Sequence, residues 1–273
     1  MTQTIPYWHV DAFSARAFGG NQAAVMVLDE WPADDILQRI GAENNFAETA
    51  FIVRDEGGAA DWELRWFTPT AEVALCGHAT LASGHVVLSD AARFGAADRV
   101  TFRTRKAGVL EVVRKGEAYE LGLPVTRVEP SAQPDLVAAI GTGGGAAGEA
   151  FLSYEGAEQT AIILFENEAQ IRALEPDMEK LRGIDLMAIC TARGDRHDIV
   201  SRVFVPAWGV DEDSVTGSAH AALAPFWSER LGRDRMTAYQ ASERGGDLTM
   251  RLAGDRAWLG GPCVTVVEGR FYL

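Results

Sequence analysis

Glu48 stands where Asn44-Asn45-Phe46-Ala47 gives way to the apolar run Thr49-Ala50-Phe51-Ile52-Val53, so its carboxylate enters where a loop becomes a strand. Partial burial there moves a carboxylate toward the range useful for proton transfer, whereas an edge position in solvent leaves it ordinary. His78 follows Gly77 in the first turn of an apolar segment. An imidazole at a helix N-terminus favours its neutral form, which donates a hydrogen bond or relays a proton; a structural histidine satisfied by backbone fits the same place. Cys76 precedes that glycine and feels the same dipole, which favours the thiolate; a small buried apolar residue is the other reading. Asp211, Glu212 and Asp213 crowd the loop before Gly217, either as a solvated loop or as like charges perturbing one another near a cleft. Ser218 is a donor to a substrate carboxylate or a helix cap.

Both glycines open apolar helices behind a strand that ends in phenylalanine-x-proline. The first copy reads Phe67-Thr68-Pro69 and then Cys76-Gly77-His78-Ala79; the second reads Phe204-Val205-Pro206 and then Thr216-Gly217-Ser218-Ala219. The glycine lies ten residues past the phenylalanine in the first copy and thirteen in the second. The repeat predicts two related lobes whose helix N-termini face one cleft, where unpaired N–H groups and the helix dipoles would hold an anionic group. His78 to Leu88 and Ser218 to Trp227 are apolar nearly all round, so each must be surrounded by protein. The architecture expected is α+β, with a strongly curved mixed sheet wrapped around one buried helix in each lobe.

Composition narrows the chemistry. At 273 residues with 47% apolar content, the chain can fill one large domain or two ordinary ones. A formal charge of −14 argues against nucleic acid as a partner. No apolar run approaches membrane-span length and the start lacks a signal-peptide pattern, so a cytoplasmic protein is expected. Cys76, Cys190 and Cys263 suit neither a disulfide framework nor a zinc site. The histidines lack metal-pair spacing, and both the G-x-S-x-G elbow and a Walker loop are missing. Gly143 to Gly148 matches G-x-G-x-x-G, but a helix-like Asp135 to Ile140 precedes it and a strand-like Ala150 to Tyr154 follows, the reverse of the dinucleotide motif. Acid–base chemistry without metal or cofactor is what survives.

Strands are expected at Trp62–Phe67, in a meander from Arg99 to Leu123, at Thr160–Phe165, Leu186–Thr191 and Ile199–Val205, and three times after Arg235, ending in Cys263–Val267 and Arg270–Leu273. Helices are expected over Pro32–Ile40 and, interrupted by Pro176, over Glu168–Leu181. Pro225 should kink the second apolar helix or restrict its regular part to the first turns. Pro124 to Pro134 reads as the link between an N-terminal lobe, residues 1–125, and a C-terminal lobe, residues 126–273, whose last strand crosses back.

At these residues the sequence resembles the PhzF family of phenazine-biosynthesis-like isomerases, which share their fold with diaminopimelate epimerase. The resemblance runs nearly end to end, through Asp11-Ala12-Phe13, Gly20-Asn21-Gln22-Ala23-Ala24-Val25, Asn45 to Val53, Gly77-His78-Ala79-Thr80, Thr191 to Gly194, Gly209 to Ala219 and Gly260-Gly261-Pro262. It implies a cofactor-independent isomerase acting on a small carboxylate, often as a homodimer. By motif position Glu48 matches the catalytic acid–base glutamate, and His78, Asp213 and Ser218 match residues lining the site. Gly77 and Gly217 would place N–H groups on the substrate carboxylate, with Asn21, Cys76 and Thr216 also substrate-binding. In the phenazine enzyme that glutamate moves a proton within trans-2,3-dihydro-3-hydroxyanthranilate.

Two departures bear on mechanism. Diaminopimelate epimerases use one cysteine from each lobe; Cys76 sits at the first position, but the second falls on Thr216, a very poor base. Phenazine enzymes proper have no cysteine at the Cys76 position. Proton-shifting isomerisation by Glu48 with His78 and Asp213 therefore leads. The alternatives are an amino-acid racemase or epimerase pairing Cys76 with a second acid–base group, and a catalytically silent binding protein for a small carboxylate.

Overall fold

The computed structural model describes residues 4–153 and 159–273. Two compact units divide the chain: Met1–Gly122 with Gly260–Leu273, and Leu123–Leu259. The first contains β1 (Thr4–Ala12), β2 (Asn21–Val27), α1 (Asp34–Asn44), β3 (Glu48–Arg54), β4 (Trp62–Phe67), β5 (Glu72–Val73), α2 (Gly77–Ser89), α3 (Ala91–Phe94), β6 (Arg99–Thr104), β7 (Val109–Lys115) and most of β8 (Ala118–Pro124), whose last two residues are assigned to the second. The second contains β9 (Glu129–Pro130), α4 (Pro134–Ile140), β10 (Glu149–Leu152), β11 (Thr160–Leu164), α5 (Glu168–Arg172), α6 (Met178–Leu181), β12 (Met187–Arg193), β13 (Ile199–Val205), β14 (Val210–Asp213), α7 (Gly217–Leu231), β15 (Arg235–Gln240) and β16 (Gly246–Ala253). The last strand, β17 (Arg256–Tyr272), carries the chain back into the first unit.

In the first unit β2 runs parallel to β3, β3 antiparallel to β4, β4 parallel to β6, and β6, β7 and β8 antiparallel in turn. β1 joins β2 to β17, and β17 also pairs with β8, which closes the sheet into a barrel. Inside lies α2, whose residues from Gly77 to Gly84 are all buried. A helix with no polar face has no other stable place. The packing is close: a Cβ on Gly84 would lie 2.4 Å from a Val112 methyl of β7. Outside the sheet, α1 is amphipathic and packs Leu37 and Ile40 on Met26, Phe51 and Phe67.

The second unit repeats the sequence of pairings. β11 is parallel to β12, β12 antiparallel to β13, β13 parallel to β15 and β15 antiparallel to β16, around a buried α7. A short antiparallel strand docks beside the phenylalanine strand in each unit, β5 on β4 and β14 on β13. An arginine two residues before each phenylalanine grips a glutamate of that short strand with two nitrogens. Arg65 holds Glu72 at 2.8 and 2.8 Å, and Arg202 holds Glu212 at 2.8 and 2.8 Å. The Arg65 guanidinium keeps the Glu72 carboxyl below the usual carboxylate range. The degenerate phenylalanine–glycine repeat is thus the visible part of a repeat in topology.

Three local expectations differ. α7 continues through Pro225 to Leu231. The ring costs the helix one hydrogen bond, but Phe226 beside it meets Phe151 edge to face at 5.0 Å and lies under the Arg230 guanidinium at 3.6 Å, and that packing keeps the helix regular. The two expected C-terminal strands are one, because β1 pairs with Cys263 through Tyr272 and carries β17 across Glu268-Gly269. The expected helix at Pro32–Ile40 starts two residues later and runs to Asn44, ended by Asn45 in the left-handed conformation at φ 51°. Around Gly143, α4 precedes and β10 follows, as the sequence reading required; Tyr154 lies outside the described residues.

Candidate active site

Three segments of the first unit converge at one end of its barrel. Asn45 turns the chain out of α1, and Glu48 begins β3 in register with Ala23 of β2. Gly20, at φ +66°, allows the tight entry to β2; a Cβ there would fall 2.1 Å from the Ala12 carbonyl oxygen. Cys76, extended at φ −141°, launches α2 without a side-chain cap bond, and the first-turn N–H groups have no carbonyl four residues behind them within the helix.

His78 is the hub. Its Nε2 lies 3.2 Å from Glu48 Oε2 and 3.2 Å from the Gln22 carbonyl oxygen. Its Nδ1 lies 3.1 Å from Asn21 Nδ2 and 3.6 Å from Cys76 Sγ. The imidazole is 4% exposed and the Glu48 side chain 18%, so the carboxylate keeps an opening to solvent while the ring does not. Glu48, Cys76 and His78 each offer one donor atom within 4.8 Å of the others, a set able to meet a metal ion. The ring, however, turns Nδ1 to the thiol and Nε2 to the carboxylate. Both ring nitrogens are already hydrogen-bonded, Nδ1 to the Asn21 amide and Nε2 to the Gln22 carbonyl, which leaves neither a free lone pair for a metal ion shared with the other two.

At the start of α7 the second unit builds a different arrangement. The Thr216 hydroxyl donates to Asp213 Oδ2 at 2.5 Å. Gln240, fully buried, accepts from the Thr216 N–H at 2.8 Å and donates to the Asp213 carbonyl at 2.8 Å and the Thr216 hydroxyl at 3.2 Å. His220 Nδ1 donates to the Thr216 carbonyl at 2.8 Å, and burial drives this imidazole down to a pKa of about 4. Ser218 Oγ meets Met187 Sδ at 4.0 Å. The three clustered acids are parted: Asp211 pairs with Arg182, Glu212 with Arg202, and Asp213 takes the Thr216 hydroxyl.

Residues 10–269 match the PhzC–PhzF family, described as phenazine biosynthesis-like protein. The chain belongs to the PhzF family. An uncharacterized isomerase from Pseudomonas aeruginosa is 44% identical over 98% of this chain and 99% of its own length. The crystal structure of a PhzF-family protein from Enterococcus faecalis superposes with a TM-score of 0.87 at 38% identity, covering 99% of this chain and 100% of that one. A hydroxyproline epimerase from Agrobacterium vitis, 13% identical with a TM-score of 0.61 over 99% of this chain and 93% of its own, shares the fold. Isomerase is the enzyme class that this family membership gives the chain.

Sequence reasoning brought Glu48, Cys76 and His78 together and missed what holds them. Asn21, expected on substrate, has its amide on the ring of His78. Gln22 contributes through its carbonyl, which no side-chain pattern announces. Gln240 is a lone polar residue at the end of β15, far in sequence from Asp213 and Thr216. A cleft of the second unit lined by Arg127, Phe151, Pro225, Phe226 and Arg230 touches none of the candidate residues.

Proposed function

We propose that this PhzF-family protein is a cofactor-independent isomerase. It removes a proton from carbon beside an activating group of a small carboxylate and returns it at another carbon, a shift of the type run on trans-2,3-dihydro-3-hydroxyanthranilate. Glu48 is the shuttle. His78 and Asp213 orient the substrate or assist the transfer. N–H groups at Gly77 and Gly217, the Ser218 hydroxyl, Cys76, Thr216 and the segment at Asn21 receive the carboxylate and stabilise charge that builds up in the transition state. The same reading takes the enzyme to be a cytoplasmic homodimer.

The observation that carries it is the pairing of one partly buried carboxylate with one buried imidazole, 3.2 Å apart, beside the start of α2. A base that keeps its proton near the substrate can return it, which is what an internal shift needs; racemisation needs a second base on the opposite face. Thr216, hydrogen-bonded to Asp213, offers no thiol for that role. The racemase reading is favoured by one contact, Cys76 Sγ at 3.6 Å from His78 Nδ1.

The test is a panel of cyclic and linear amino- and hydroxy-carboxylates incubated with the enzyme in deuterated water and read by mass spectrometry. A member that takes up deuterium with wild-type enzyme and not with Glu48→Gln supports the proposal. Uptake undiminished in Glu48→Gln, or panel members that bind without any exchange, overturns it.

A further inference from the structure

We infer that Asn21 is a positioning residue: it holds the His78 imidazole as the neutral ring with its proton on Nε2, turned to the Gln22 carbonyl beside Glu48, and occupies the lone pair that faces Cys76. The consequence for catalysis rests on the Glu48 reading; the assignment of the proton does not.

The two ends of the ring are set by groups with one role each. A carbonyl oxygen can only accept, so Nε2, 3.2 Å from the Gln22 carbonyl, carries the proton. An amide nitrogen can only donate, so Nδ1, 3.1 Å from Asn21 Nδ2, is bare. Both neighbours therefore demand the same tautomer. Neither can drift: Asn21 is 2% exposed, pairs with Ala12 across the β1–β2 ladder, and follows Gly20, whose position tolerates no side chain.

Two results follow for the cluster. His78 Nε2 lies 3.2 Å from Glu48 Oε2, but its one proton is directed at the Gln22 carbonyl, so the ring edge stands beside the carboxylate without tying it down. Cys76 Sγ approaches Nδ1 at 3.6 Å, but the lone pair it would use already accepts from Asn21. With that lone pair taken, the ring offers no open path for a proton between Glu48 and the sulfur. On the Glu48 reading, Asn21 thus keeps the thiol out of the proton transfer.

Replacing Asn21 with aspartate exchanges a donor for an acceptor of nearly the same shape. The ring then has acceptors at both ends and takes a second proton from solvent. The test is 15N-histidine labelling with two-bond proton–nitrogen spectra, the His78 signal among five histidines being identified by its loss in His78→Asn. Wild type at neutral pH is expected to show a bare Nδ1 and a protonated Nε2, Asn21→Ser to keep that pattern through its hydroxyl, and Asn21→Asp to show both nitrogens protonated. A wild-type ring protonated on Nδ1, or an Asn21→Asp spectrum identical to wild type, overturns the inference. Failure of the Asn21 variants to fold leaves the wild-type spectrum decisive. No substrate enters this experiment, so its outcome is independent of whether Glu48→Gln stops exchange.

Discussion

Glu48 and Met187 occupy the same place in the two units. Glu48 stands one residue before Thr49, which pairs with Phe67, and Met187 stands one residue before Ala188, which pairs with Phe204. Each also heads a strand parallel to its neighbour, against Ala23 in one unit and Thr160 in the other. The residue that follows each helix-opening glycine completes the likeness: His78 meets Glu48, and Ser218 meets Met187. One copy of the repeat has titratable groups at these positions and the other holds a thioether and a hydroxyl. Glu48→Gln should therefore lower deuterium exchange about 10²–10⁴-fold, the range for loss of a general acid–base group. Met187→Leu should change it less than about 3-fold while preserving volume. Rates of isotope uptake on the same panel carboxylate measure both.

Cys76 separates isomerisation from racemisation. If Asn21 occupies the lone pair of His78 that the thiol faces, Cys76 is a buried apolar filler, 6% exposed. Cys76→Ala should then retain exchange within about 10-fold and lose about 1 kcal/mol of stability from a small cavity. A loss as deep as that of Glu48→Gln would instead make sulfur a catalytic group. Exchange kinetics and urea unfolding of the same preparation distinguish the two.

How much of this was legible in the sequence depended on distance along the chain. Cys76, Gly77 and His78 are contiguous, and Glu48 opens an apolar strand, so residue type and local pattern exposed them. The repeat was visible only through phenylalanine and glycine; its strongest device, the arginine–glutamate grip on the short strand, is hidden because Arg65–Glu72 and Arg202–Glu212 differ in spacing by the inserted residues. The acid triplet looked like mutual repulsion because the arginines that separate Asp211 and Glu212 come from elsewhere in the fold. Pro225 looked like a break because propensity is local, whereas the aromatic packing that overrides it is not.

Gln240 fixes the backbone that presents Asp213. Its amide takes the Thr216 N–H and gives to the Asp213 carbonyl, replacing a strand partner with a side chain. Gln240→Leu keeps the bulk and strands both backbone groups in a buried site, at a cost of about 2–4 kcal/mol. The urea midpoint should fall with an unchanged slope. Gln240→Glu, which can still accept from Thr216 but cannot donate to the carbonyl while ionised, should lie between.

His220 gives stability a pH dependence whose sign can be worked out. Its folded pKa of about 4 lies below the ordinary 6.5, because burial disfavours the charged ring, which already donates Nδ1–H to the Thr216 carbonyl and accepts from Ser201 at Nε2. Between these values the unfolded chain binds a proton that the folded one refuses, so stability is full above about pH 6.5 and drains away as the pH falls toward 4. The span corresponds to a loss on the order of 3 kcal/mol. His220→Asn retains a donor for the Thr216 carbonyl and has no proton to gain, so its unfolding free energy should be lower than wild type at pH 7 and flatter from pH 6.5 down to 4. Parallel slopes for the two proteins across that interval would assign the acid sensitivity to other groups.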